Sequence, residues 1–172
     1  SLDLRLYLTA EEVTPALERA LNQALSGEVM RNLSRLSLNL VHPNELDVDA
    51  GSRAVTMACH ALGKAPLTSL RALRICQRRT RSMMPPLDGA IAPIIAASYF
   101  ENLEELQMLG TGFWDEDLSL LAERGKTFRA LGFDTPFGER ALEIVRTSKL
   151  LSEVEVLRLG DIDLRSQDES FL

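Results

Sequence analysis

An apolar phrase that recurs along the chain is the feature that most constrains its fold. In each copy the first three apolar residues are three positions apart, and the fourth follows two positions after the third. Complete copies stand at Met30, Leu33, Leu36 and Leu38; at Leu67, Leu70, Leu73 and Ile75; at Phe100, Leu103, Leu106 and Met108; and at Leu151, Val154, Leu157 and Leu159. A fifth copy keeps Phe128, Leu131 and Phe133 but has Gly125 at its first position. Such repetition predicts units that stack to share one core, because a single unit cannot bury its own apolar face.

Each copy combines a helical half with a strand. The closing apolar-x-apolar pattern is typical of a strand, and apolar residues four apart mark one face of a helix. Helical pairs precede three copies, at Leu21 and Leu25, at Ala58 and Leu62, and at Ile91 and Ile95. The last copy keeps Leu142 but has Arg146 at the second place. Strands that return through helices run parallel, so we predict an α/β fold with one parallel sheet.

The start of the chain and the helix ends lead to further predictions. Leu4, Leu6 and Leu8 resemble a sixth strand of uncertain alignment, with Leu4 placed beside Leu36 as the working choice. Thr9 and Glu12 form a capping-box pattern that predicts a helix over residues 10–26. Prolines at 85 and 86 predict a third helix over 87–98, and shorter helices are expected over 115–123 and 137–147. Loops are expected at 41–52 and 77–89.

The phrase resembles the leucine-rich repeat, and its long helical half is similar to the ribonuclease-inhibitor-like subfamily. Residues 58–75 and 141–159 also resemble bacterial or effector-type repeat proteins. The resemblance implies a single α/β domain over residues 1–172, with a polar tail at 165–172. It also implies a curved solenoid of about five or six repeats, with the sheet on the concave side and the helices on the convex side. The chain departs from the family where Asn or Cys usually follows each strand, since Val41, Arg78, Thr111, Pro136 and Ile162 stand there.

Composition restricts the class of protein. Aromatic residues make up 5 % of the 172 residues, so we expect an aliphatic core, and a net charge of −6 gives no general attraction to nucleic acid or anionic membranes. No apolar run reaches the length of a membrane span. Two cysteines, Cys59 and Cys76, are too few for a disulfide framework or a zinc site, so we expect buried thiols in a cytoplasmic protein without cofactors.

Enzymatic chemistry has one weak candidate, the neighbouring Cys59 and His60. A Cys-His pair can form a nucleophile, but adjacent helix residues point about 100° apart, so a structural role is the stronger expectation. The basic segment 64–81 is followed by several glutamates, and Arg71 and Glu104 hold equivalent places in neighbouring units. Pairing within the protein is therefore expected there rather than nucleic-acid binding.

Strand alternation predicts which side chains face a partner. If the central leucines point into the core, the residues between them line the concave surface. The candidate partner-binding residues are Tyr7, Arg35, Ser37, Asn39, Arg74, Glu105, Gln107, Asp134 and Arg158. Arg and Tyr are enriched among interface residues that dominate binding energy.

These residues predict a non-catalytic scaffold that binds a protein partner. One alternative is the substrate-recognition part of a larger ubiquitin-ligase-type or effector protein, for which a catalytic or adaptor-binding domain outside these residues would be decisive. Another alternative is a solenoid that self-assembles into a homo-oligomer through uncapped ends. A constant monomer mass in light scattering across a concentration series would count against self-assembly.

Overall fold

Six strands form one parallel sheet whose spatial order follows their order in the sequence. They are β1 (Leu2–Tyr7), β2 (Arg35–Val41), β3 (Ala72–Arg78), β4 (Glu105–Leu109), β5 (Ala130–Phe133) and β6 (Val156–Leu159). The computed structural model describes residues 1–7, 12–41, 48–78, 89–111, 115–133 and 139–159. Within these ranges the predicted α/β architecture with a parallel sheet is confirmed.

Helices connect the strands and pack in sequence order. They are α1 (Pro15–Leu25), α2 (Val48–Lys64), α3 (Ala92–Ile95), α4 (Asp115–Arg124) and α5 (Glu139–Thr147). Short 3₁₀ helices, Glu28–Asn32 and Phe100–Asn102, lead into β2 and β4. Each helix contacts the next one along the chain. Of the described helices, none has the combination of length and apolar character that crossing a membrane requires.

The central leucines of the recurring phrase lie side by side in the sheet, as predicted. Leu36 pairs with Leu73, and the row continues through Leu106, Leu131 and Leu157. The alignment of Leu4 with Leu36 was wrong by two residues, because Leu2 takes that place and Leu4 pairs with Leu38. Leu2, Leu4 and Leu6 alternate regularly, so either alignment turns the same side chains toward the core and the pattern does not distinguish them. Leu8 lies outside the described residues.

Side-chain alternation separates a buried face from an open one. In β2, Leu36, Leu38 and Leu40 are at most 2 % exposed, whereas Arg35 is exposed. The buried leucines join one core with the apolar residues of the helices, such as Ala58 and Leu62. Fully burying a leucine side chain contributes about 1.5–3 kcal/mol, so these rows hold the helices on one face. The other face, which we call the open face, is left without a helix in the described part of the chain.

The core contains aromatic as well as aliphatic side chains. Tyr99, Phe100, Phe128 and Phe133 are at most 1 % exposed, so the expectation of a wholly aliphatic core was wrong. Phe100 and Phe128 meet edge to face with 6.1 Å between ring centroids. The Tyr99 hydroxyl donates to the Leu62 carbonyl at 3.2 Å. These four aromatic side chains therefore lie where β4 and β5 join the helix layer.

A repeated hydrogen-bond pattern sets the register where the strands begin. The Arg71 carbonyl accepts from the amides of Glu104 and Glu105 at 2.7 and 3.0 Å. The carbonyls of Ser34, Glu104 and Arg129 accept in the same way from the first amides of the next strand. Backbone hydrogen bonds of this kind therefore help to fix the entry of β3, β4, β5 and β6 beside the preceding strand.

Two predictions about where helices begin were wrong, those for α1 and α2. Helix α1 begins at Pro15, and the Thr14 side chain accepts from the Ala16 amide at 3.3 Å, so the predicted start at residue 10 was wrong. The proline preorganises the first turn for a helix. Thr9 lies outside the described residues. Helix α2 spans Val48–Lys64, so residues 48–52 of the predicted loop at 41–52 are helical. Helix α5 spans Glu139–Thr147, and residues 137 and 138 of its predicted range lie outside the described residues.

Helix α3 is also much shorter than the predicted segment 87–98. A Cβ atom on Gly63 of α2 would lie 2.7 Å from the Cβ of Pro93, so Gly63 permits this short helix to approach α2 closely. In α5 the predicted inward residue Leu142 is 54 % exposed, whereas its neighbour Ala141 is fully buried. The last helix is thus rotated relative to the prediction.

A buried carboxylate links α4 to the segment before α3. Asp117 is 1 % exposed, and its Oδ1 accepts from the Ile91 amide at 3.1 Å. Asp117 lies in the first turn of α4, where the helix dipole favours a negative charge. The apolar helix layer therefore holds a polar connection that the sequence pattern did not predict.

Asp117→Ala should lower the free energy of unfolding by about 1–3 kcal/mol, because the buried Ile91 amide loses its acceptor. Asp117→Asn retains an acceptor oxygen and should cost less. Urea unfolding followed by circular dichroism measures both. The matched control is Glu116→Ala, an exposed acid in the same helical turn. Equal stability of Asp117→Ala and Glu116→Ala would contradict this role.

Candidate binding face

The open face brings together the side chains that the sequence assigned to partner binding. Ser37, Arg74, Gln107 and Arg158 occupy one row across the strands, with Gly132 between the last two. Arg35 and Glu105 lie in the adjacent row toward the strand starts, separated by Ala72. Asn39 and Tyr7 lie toward the strand ends. Asp134 lies outside the described residues.

A groove of about 420 Å³ opens at the carboxyl ends of β1 to β4. Its lining residues are Arg5, Tyr7, Asn39, Val41, Arg74, Cys76, Gln77, Leu109 and Gly110. Tyr7, Val41 and Leu109 are the last residues of their strands. Because parallel strands end at the same edge, they place one aromatic and two aliphatic side chains beside two guanidinium groups. The Tyr7 side chain is 66 % exposed.

Glu105 is the anionic centre of the open face. Its carboxylate pairs with the Arg35 guanidinium at 2.9 Å and also accepts a short hydrogen bond from Arg129. The small side chains of Ala72 and Ala130 flank it, so both arginines can reach it across the sheet. The Glu105 side chain is only 17 % exposed. Its charge is therefore largely enclosed by the two cations.

The other polar contacts on this face are mostly local. The Asn39 amide donates to Asp3 Oδ1 at 2.7 Å and to Ser37 Oγ at 3.2 Å. The Arg158 guanidinium reaches Gln107 Oε1 at 3.5 Å across Gly132. A Cβ on Gly132 would lie 3.2 Å from side-chain carbons of both residues, so the glycine leaves room for this contact.

The two cysteines occupy different environments. Cys59 is fully buried in α2, and burial, with a smaller contribution from the charge of Asp117, raises the pKa of its thiol to about 12. His60 beside it is exposed, so the two neighbouring side chains lie in different environments. Cys76 is half-buried in the groove, and its sulfur accepts from Arg74 Nε at 2.9 Å. The expectation that both thiols are buried was therefore wrong for Cys76.

Two basic residues of segment 64–81, Lys64 and Arg71, form ion pairs with glutamates of this chain. Arg71 binds Glu104 at 2.8 Å, as predicted from their equivalent positions. Lys64 binds Glu18 at 3.0 Å, and this hydrogen bond lowers the pKa of the Glu18 carboxyl. In the described ranges, no three His, Cys, Asp or Glu side chains converge on a position suited to a metal ion.

Sequence reasoning missed two features of this face. Arg129 precedes β5 and so lay outside the alternation that selected candidates, although its carboxylate partner Glu105 was among them. The groove was also missed, because its edge depends on the backbone after β4. Gly110 has φ +69°, and a Cβ there would lie 2.1 Å from the Gln77 carbonyl oxygen. The Gly110–Thr111 pair was the available signal for a turn.

Comparisons with protein-family models, with curated proteins and with solved structures find no match to this chain. The geometry of the open face is therefore the main guide to the function of this chain.

Gly110→Ala should lower the free energy of unfolding by more than about 2 kcal/mol, because a positive φ alone costs roughly 1–2 kcal/mol and the added carbon also meets the Gln77 carbonyl. Gly125→Ala controls for backbone conformation, since Gly125 has φ +68° with open space around it. Gly27→Ala, with neither restriction, should be close to neutral. Thermal and urea unfolding would rank the three variants, and an equal cost for Gly110→Ala and Gly125→Ala would show that the close contact is absent.

Thiol labelling should separate the cysteines. In the folded protein at about pH 8, Cys76 should react with a chromogenic disulfide reagent, whereas Cys59 should react only after unfolding, because burial disfavours its thiolate. Cys76→Ser should remove the fast phase. Rapid reaction of two thiols in the folded wild type would contradict this assignment.

Since the raised pKa of Cys59 disfavours its ionisation in the folded state, its contribution to stability is complete below its unfolded pKa near 9 and is lost as the pH rises toward 12.

Proposed function

We propose that this chain is a leucine-rich-repeat-type solenoid that binds a partner protein with the open face of its sheet. The observation that carries the proposal is the groove at the strand ends, which lies beside a row of polar side chains spanning the sheet. The aligned central leucines and the sequential order of strands support the repeat architecture. We propose that the protein acts in the cytoplasm without a cofactor and as a scaffold rather than as an enzyme.

The chemical character of the face favours binding over catalysis. Its acids and several of its arginines engage in hydrogen bonds and ion pairs spread over several strands, and among the described residues the half-buried thiol of Cys76 is its nucleophile candidate. That thiol contacts an arginine rather than a general base. Exposed Tyr and Arg side chains around a groove are well suited to protein contacts.

Rigid placement of these side chains also supports binding. They project from strands that are held on both sides by parallel neighbours, except at β1 and β6. A partner would therefore pay little conformational entropy to order the backbone of this face. The substrate-recruiting role and the self-assembly through solenoid ends remain alternative predictions. The exposed side chains of Val156 and Leu157 at the β6 edge favour self-assembly over the recruiting role.

Charge reversal on the open face should abolish capture of the partner from a native lysate. Arg74→Glu with Arg158→Glu changes two exposed side chains of the central row. The matched control is Arg19→Glu with Arg140→Glu, which alters exposed arginines on α1 and α5 and gives the same net charge. Quantitative mass spectrometry of the captured proteins should show partners lost from the first variant and kept by the control. Equal recovery from both variants would contradict binding through this face.

A further inference from the structure

We propose that the segment recognised on the open face is an extended acidic peptide, whose carboxylates pair with Arg5, Arg74 and Arg158. This inference rests on the proposed protein-binding function and specifies the chemistry of the partner. It follows from the way charges are distributed over the face.

The acids of the open face that the structure describes already have partners. Glu105 is enclosed by two arginines, and Asp3 accepts from the Asn39 amide. Two guanidinium groups neutralise the Glu105 carboxylate, which leaves it little attraction for a further cation. Asp3 keeps its charge but has one oxygen occupied by the Asn39 amide, so the described part of the face offers a basic partner fewer contacts than an acidic one.

Three arginines of the face, in contrast, have no carboxylate partner in the described part of the chain. Arg5 makes no ion pair or side-chain hydrogen bond there, Arg74 donates only to the Cys76 sulfur, and Arg158 only approaches a neutral amide. All three are exposed. Each retains donor groups in the fork geometry that binds a carboxylate with two hydrogen bonds. The open face thus retains three unpaired cations, although the net charge of the chain is −6.

The spacing of the arginines suits an extended chain that crosses the strands. Arg74 and Arg158 occupy the same row on β3 and β6, with Gln107 and Gly132 between them. Neighbouring strands lie about 4.8 Å apart, so the two positions are separated by about 14 Å. An extended peptide advances about 3.3 Å per residue, which places carboxylates about four residues apart over these two guanidiniums.

The groove completes the site at the other end of this path. Arg5 and Arg74 both line it, together with Tyr7, Val41 and Leu109. A carboxylate seated there would meet two cations, and an apolar side chain next to it in the peptide would contact the aromatic and aliphatic wall. The arrangement therefore favours an acidic residue with an apolar neighbour at this position.

Nucleic acid fits these observations less well than an acidic peptide. Strong binding to a nucleic acid requires many phosphate contacts, and the overall negative charge opposes the approach of a long polyanion. The three cations are separated by neutral and acidic side chains, and the described part of the face offers one aromatic ring, Tyr7. A segment with a few carboxylates matches three guanidiniums.

Fluorescence anisotropy with labelled synthetic peptides tests the inference. The probe is an extended peptide with glutamates about four residues apart and a leucine beside one of them. Its comparators carry glutamine or lysine in place of the glutamates, and a single-stranded oligonucleotide of equal net charge is the polyanion comparator. We expect only the glutamate peptide to bind, with an affinity that falls as salt shortens the Debye length.

Variants locate the binding on the face. Arg74→Glu with Arg158→Glu should weaken the glutamate peptide by at least about tenfold, whereas Arg19→Glu with Arg140→Glu should leave its affinity within about twofold. Glu105→Gln should strengthen binding several-fold, because it removes a negative charge from the face and frees Arg35, while Arg129 keeps its contact with Glu155 at 3.9 Å. Circular dichroism verifies the fold of each variant. The opposite directions of these changes separate recognition from any general loss of structure.

Other outcomes would overturn the inference. Equal binding of the glutamine peptide, equal loss in both arginine double variants, or tighter binding of the oligonucleotide would each contradict an acidic-peptide site. If the glutamate peptide does not bind while a lysate partner is still captured through the open face, the acidic inference fails and the proposed function stands. If neither binds, both fail.

Discussion

The alternation of side chains along the parallel strands is the constraint on which the rest of the structure depends. In β2, Leu36, Leu38 and Leu40 are buried while the residues between them remain accessible, and the central leucines of β3, β4 and β5 are buried in the same row. Because burial of the leucine rows anchors the helices to one face, the opposite face is left to polar side chains. Backbone carbonyls at the strand entries, such as that of Arg71, then keep the rows aligned from strand to strand.

Electrostatics on the open face follows from this division. Small residues such as Ala72 allow Arg35 to reach Glu105, and Gly132 leaves room for Arg158 beside Gln107. Exposed ion pairs of this kind contribute only about 0–1 kcal/mol each to stability, so the paired and unpaired charges matter more for recognition than for folding. The groove at the strand ends adds apolar contact area next to two of the unpaired cations. The unpaired arginines and the groove therefore favour a negatively charged ligand, although the net charge of the chain is itself negative.

The recurring phrase made the strands, their parallel order and the aligned leucines predictable, because burial of one face enforces the spacing. Helix limits were less predictable. Thr9 and Thr14 both carry capping signals, and only packing and the following Pro15 favour the second. The exposure of Leu142 and the groove edge at Gly110 depend on how the last helix and the backbone after β4 pack in three dimensions. The local spacing of apolar residues does not predict such contacts. Arg129 was not among the predicted binding residues because it precedes its strand.

Hydroxyl-radical footprinting of the complex with a captured partner would test the central claim, that the face opposite the helices is the binding surface. Tyr7 and Cys76 report on the open face, whereas His60 and Leu142 are exposed on the helix layer. Binding through the open face should suppress oxidation of Tyr7 and Cys76 and leave that of His60 and Leu142 unchanged. Protection of His60 and Leu142, with unchanged oxidation of Tyr7 and Cys76, would contradict it.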